Sequence, residues 1–167
     1  GEDLPVVGLG TSGQFNSVPS GQTREDLLRV LKLFFRHGGA LIDTAPIYGR
    51  SEEVLGTMLS ELGLRDRTFL ATKVRARSRS RGREQIERSF DLLRTDTLDL
   101  LQVHSLVGWG TQLPLMREYK RDNRVRSLGV THHAAYAVDD LATVIERGSF
   151  DPDHKVVKLL ADMFKTM

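Results

Sequence analysis

ALIDTAPIYGRSEEVLG, residues 40–56, runs from an apolar stretch to Asp43, crosses a short loop holding Tyr48, and enters a segment of helical period. The apolar stretch is nearly continuous, whereas a strand with one wet face would alternate. It therefore reads as one buried strand followed by one helix. The same order recurs along the chain: PVVGLG (5–10) before a helical pattern over 23–37, TFLATKV (68–74) before one over 82–94, TLDLLQVH (97–104) before one over 112–121, and VRSLGVT (125–131) before one over 136–147. Five strand-plus-helix units predict an α/β chain with a parallel sheet, because strands joined through helices run the same way and are covered by them.

The helix ends carry their own signals. Thr23 stands before REDLLRVLKLFF with Asp26 three residues on, and Ser51 stands before EEVLGTMLSEL, so both are expected N-caps. The first helix is expected to stop at His37-Gly38-Gly39 and the second at Gly63, where glycine takes up the left-handed conformation that ends a helix.

The 167 residues, 40% hydrophobic, suit one domain with one core, since domains run to roughly 100–200 residues. No cysteine is present, which excludes a disulfide framework, an iron–sulfur cluster and a thiolate metal site. No apolar run reaches the ~18 residues of a membrane span. The formal charge is +2, and much of the basic excess lies in RARSRSRGR, where Arg75, Arg77, Arg79, Arg81 and Arg83 alternate with small residues. That stretch is expected to be a solvated loop, the alternative being a grip on phosphates through salt-dependent contacts. No aromatic residues interleave with it, which argues against single-stranded nucleic acid as a partner.

Three strand runs close on an ionisable side chain: Asp43, Lys73 in FLATKV and His104 in LLQVHS, with Tyr48 in the loop after the first. In a strand–helix winding, everything that follows the carboxyl ends of the strands opens on one face, where such folds keep their chemistry. Crowding Asp, Lys, His and Tyr at one address beside a dry core shifts their pKa values. An ammonium beside a phenol would favour the phenolate, Asp43 would hold Lys73, and His104 would hydrogen-bond a substrate oxygen. The set is suited to protonating a carbonyl oxygen.

On these residues the chain resembles the aldo-keto reductase family. IDTAPIYG with the following EEVLG is similar to the family's first signature and matches Asp43 and Tyr48, ATK matches Lys73, LLQVHS matches His104, and GLGT (8–11) is similar to the first barrel strand. SLGVTH (127–132) resembles the segment where a Ser-Asn pair holds the nicotinamide carboxamide, and here reads Thr131-His132. The resemblance implies a (β/α)8 barrel and NADPH-dependent reduction of aldehydes or ketones. It assigns catalysis to Asp43, Tyr48, Lys73 and His104, and cofactor contacts to Gly10, Thr11, Asp43, Thr131 and His132. Trp109, in the loop after His104, would wall the substrate pocket. No metal is implied. The wording of ELGLRDRTFLATKV and ERSFDLLRTDTLDLLQVH is of a bacterial flavour, for which cytoplasm and periplasm both remain open.

A whole barrel of this kind needs eight strands and ~250 residues, against five strands in 167 here. The expectation is a partial barrel over 1–151, ended by an amphipathic helix over 152–167 in the same domain. The missing strands would carry most contacts to the cofactor, so NADPH binding by this chain is expected to be weak or absent. Open sheet edges would favour self-association, and the alternative to an enzyme is a non-catalytic remnant serving as an interaction module through those edges.

Overall fold

The computed structural model describes residues 4–148. Five strands form one sheet in the order of the chain, all neighbours parallel: β1 (Leu9–Gly10), β2 (Leu41–Asp43), β3 (Phe69–Val74), β4 (Leu98–His104) and β5 (Val125–Thr131). Between them lie α1 (Gly21–Arg36), α2 (Ser51–Leu62), α3 (Arg79–Leu93) and α4 (Trp109–Arg121), and α5 (Val138–Gly148) follows β5. This is the expected winding of a partial barrel. The proposed terminal helix over 152–167 lies outside the described residues.

Every residue of β3 and β4 is buried, as continuous apolar runs require when both faces are covered. One core joins the helix side, through Leu31, Leu55, Leu59, Ile86 and Met116, to strand residues such as Ile42, Leu70, Leu101 and Val103. The α2–α3 contact is close at Gly56, where an added Cβ would lie 2.2 Å from the Leu92 carbonyl oxygen. That glycine lets the two helices meet backbone to backbone.

Four local expectations are corrected. The first strand is two residues long rather than six: Val6 and Val7 are 98% and 69% exposed, since β1 pairs only with β2 among the described residues. α1 begins at Gly21 after Ser20, not after Thr23, and Asp26 accepts from the Gln22 side chain instead of capping. Ser51 is the first residue inside α2 rather than its cap, and its hydroxyl donates to the Thr11 carbonyl, 3.1 Å away, tying α2 to the end of β1. Most of the arginine stretch is helix. Ser78 caps α3 by accepting from the Arg81 amide, Arg79 and Arg83 pair with Glu118 of α4, and Arg81 pairs with Glu84, so these cations are partnered along helix faces. The glycine stops hold, with Gly63 in the left-handed conformation at φ 61°.

Candidate active site

Parallel pairing places Asp43 beside Ala71, Lys73 beside Gln102 and His104 beside Thr131, at the carboxyl ends of consecutive strands. Asp43 is fixed through its main chain: its carbonyl accepts from the Thr11 amide at 3.0 Å and the Thr11 hydroxyl at 3.1 Å. Its carboxylate is left to the site. One oxygen accepts from Lys73 Nζ at 2.5 Å and the other from Gln102 Nε2 at 3.4 Å. Lys73, only 4% exposed, also donates to the Thr44 carbonyl at 2.8 Å. Burial pulls its ammonium below the ordinary lysine range, against which Asp43 and then Glu52 hold the charge.

The loop after β2 brings Tyr48 over this pair. Its amide donates to the Ala45 carbonyl, its own carbonyl accepts from the Ser51 amide, and the turn between them uses Gly49 at φ 60°. A side chain at Gly49 would meet the Asn16 carbonyl oxygen at 2.4 Å. Lys73 Nζ lies 5.2 Å from the centre of the Tyr48 ring, and the His104 ring meets Tyr48 edge to face with centroids 5.9 Å apart. All four predicted side chains therefore share one mouth.

The electrostatics differ from the sequence expectation in one respect. The Tyr48 phenol is raised, by burial first and by the Asp43 carboxylate second, so Lys73 does not make the resting phenol acidic. The reason is geometric: the ammonium faces Asp43 and the Thr44 carbonyl, and lies over the tyrosine ring. His104 is pushed down to about 4, first by burial and then by the cations of Lys73 and Arg75. Its imidazole is neutral at neutral pH. Nδ1 is buried with no hydrogen-bond partner among the described residues, and a bare acceptor is tolerated better than a bare N–H, so the proton belongs on Nε2.

The remaining predicted residues are spread around this centre. Gly10 ends β1 in open space, while the Thr11 hydroxyl is committed to the Asp43 carbonyl. Thr131 ends β5, half-buried, and His132 stacks on His133 at 5.2 Å while its Nδ1 accepts from the Ala134 amide. That bond places the proton of His132 on Nε2, leaving a donor where the family's Asn would offer an amide. Trp109 is not in a loop: it is the first residue of α4, partly buried against the core, because Gly108 in the left-handed conformation starts the helix there.

Two residues escaped the sequence reading. Glu52, 3% exposed, accepts from the Thr72 hydroxyl at 2.7 Å, and burial raises its carboxyl while Lys73 and Arg88 pull it back. By its position it is an ordinary acid in the first turn of a helix. Gly56, four residues on and so on the same face, was the available sign that this face of α2 is closed. Gln102, the lone polar residue inside LLQVH, is the other, and its register with Lys73 places it beside Asp43.

Comparison with known proteins gives the same answer as the geometry. The chain matches the Aldo/keto reductase family over residues 6–161, and it belongs to that family. It is 30% identical over 171 residues to the aldo-keto reductase YhdN of Bacillus subtilis, covering 93% of this chain and 52% of that protein. It is 36% identical over 158 residues to D-arabinose 1-dehydrogenase of Saccharomyces cerevisiae, covering 86% of this chain and 45% of that one. Among solved structures, an aldo-keto reductase from Klebsiella pneumoniae in complex with NADPH superposes with a TM-score of 0.70 at 27% identity, covering 84% of this chain and 50% of that chain. The chain thus spans about half the length of the curated relatives it matches. No helix among the described residues is long and apolar enough to cross a membrane.

Proposed function

We propose that this chain carries the proton-delivery part of an NADPH-dependent carbonyl reductase site, with Tyr48 as proton donor and an aldehyde or ketone as substrate. The observation that carries the proposal is the buried Lys73–Asp43 pair lying behind a tyrosine whose ring meets a neutral histidine. The Klebsiella pneumoniae complex with NADPH supports the choice of cofactor.

The residues present suit the nicotinamide end of that cofactor. The Thr131 hydroxyl and His132 Nε2 offer hydrogen bonds at the end of β5, and Asp43 keeps a partly exposed carboxylate at the end of β2. NADPH, when bound, supplies the hydride. The chain's own side chains handle the oxygen: His104 Nε2–H and the Tyr48 hydroxyl hold the carbonyl oxygen, and Tyr48, whose raised phenol keeps its proton at rest, releases it as negative charge develops. Lys73 acts after that transfer. Its ammonium is near enough to the ring to steady the phenolate, and Asp43 and Thr44 prevent it from moving away.

The test is NADPH oxidation with an activated aldehyde, comparing the chain with its Tyr48→Phe variant. A rate above background that falls by about two to four orders of magnitude in the variant supports the proposal. Equal rates overturn it. Fluorescence titration with NADPH separately measures how much cofactor affinity this chain possesses.

A further inference from the structure

On the outer side of the Tyr48 loop, between α2 and α3, lies a cleft of about 810 Å³ walled by Arg50, Arg75, Arg77, Arg81 and Arg88. We propose that this cleft is a binding site for a small oxyanion, a phosphate or carboxylate group, distinct from the carbonyl-reducing centre. Its acids are accounted for. Glu53 pairs with Arg50 and Glu84 with Arg81, while Glu52 is buried at the floor and engaged with Thr72. The side chains of Arg75, Arg77 and Arg88 make no hydrogen bond or ion pair among the described residues, and all three are exposed on the cleft.

The frame that holds them is rigid. The Arg75 amide donates to Gln85 Oε1 at 2.6 Å, and Gln112 Nε2 donates to the carbonyls of Ala76 and Ser78 at 2.9 and 3.1 Å from a wholly buried position. Ala76 points inward in this extended stretch, so Arg75 and Arg77 leave on the same outer side. Arg88 joins them from α3, on the face that also carries Arg81, Gln85 and Leu92. Three guanidinium forks thus line one cleft from two fixed backbones; Arg88 feels the Glu52 and Glu53 carboxylates, but neither bonds to it, and none of the three forks is closed by a carboxylate, the arrangement that recognises oxyanions through paired N–H donors.

The binding is tested without reference to catalysis, by isothermal titration of the whole chain with inorganic pyrophosphate and, separately, with citrate. Saturable binding that weakens about tenfold or more in Arg77→Ala/Arg88→Ala, and is retained in Arg79→Ala, supports the site, because Arg79 is already held by Glu118. Preference for pyrophosphate would identify the group as phosphate and preference for citrate as carboxylate. Circular dichroism checks that the double variant folds, and Arg77→Lys/Arg88→Lys, which keeps the charge but loses the forks, should recover only part of the affinity. No binding of either anion at about 10 mM, or equal loss in Arg79→Ala, overturns the proposal.

Discussion

Lys73 Nζ lies 2.5 Å from Asp43 Oδ2, with the lysine side chain 5% and the aspartate side chain 34% exposed. The two ends of this pair are unequal: the cation is enclosed, while the anion borders the mouth. Asp43→Asn leaves an enclosed ammonium with neutral oxygens and only the more distant Glu52 carboxylate, whereas Lys73→Met removes the enclosed charge and leaves a carboxylate that water can reach. Urea unfolding should therefore find Asp43→Asn the more destabilising, by about 3 kcal/mol or more, with Lys73→Met milder. The reverse order would mean that Glu52 alone suffices to hold the ammonium.

His104 makes the fold sensitive to mild acid. Its pKa is near 4 in the fold against an ordinary 6.5, so between those values the unfolded chain takes up a proton that the folded chain refuses. Stability should fall as pH drops from about 6.5 toward 4, and His104→Gln should flatten that part of the curve. An imidazole resonance of His104 titrating near its ordinary value in the folded protein would contradict the prediction.

Glu52 works in the opposite direction. Its carboxyl is raised in the fold, so its contribution is complete below the unfolded value of 4.5 and is lost as pH rises through the higher folded value. Glu52→Gln keeps an acceptor for the Thr72 hydroxyl and removes the buried charge. Thermal melts at pH 7 to 8 should show the variant as stable as the parent or more so, with the advantage shrinking toward pH 4.

The buried carboxyl also marks where the sequence stops being readable. Strands β2 to β5 were legible because buried parallel strands are unbroken apolar runs, and Asp43, Lys73 and His104 were legible because each interrupts such a run at its end. Glu52 was not, since an acid in a helix's first turn is equally at home in water, and it takes the tertiary packing of α2, with Thr72 of β3 against its carboxylate, to bury it. The arginine stretch misled for a related reason. Arginine has high helix propensity, and its partner Glu118 lies 39 residues from Arg79, beyond any local pattern. The nearness of Lys73 to Tyr48 and its pairing with Asp43 were foreseeable, but not that the ammonium would also turn to the Thr44 carbonyl and leave the phenol raised.

Two glycines in helices should respond differently to alanine. At Gly56 the added methyl meets the Leu92 carbonyl oxygen at 2.2 Å and Leu93 at 2.8 Å, so Gly56→Ala must force α2 and α3 apart and should cost about 1–3 kcal/mol. At Gly110 in α4 nothing lies within 4 Å, and Gly110→Ala should be neutral or stabilise by up to about 1 kcal/mol. Chemical denaturation of the two variants measures the difference.

The sheet order β1-β2-β3-β4-β5 is also the order of synthesis. Each strand pairs with the one made just before it, so a chain emerging from the ribosome can lay down its sheet one ladder at a time without waiting for a distant partner. The Lys73–Asp43 pair is available once β3 has emerged, and His104 arrives one strand later to complete the cluster. The candidate site is thus assembled from early, sequence-adjacent pieces, each held by the pairing of neighbouring strands.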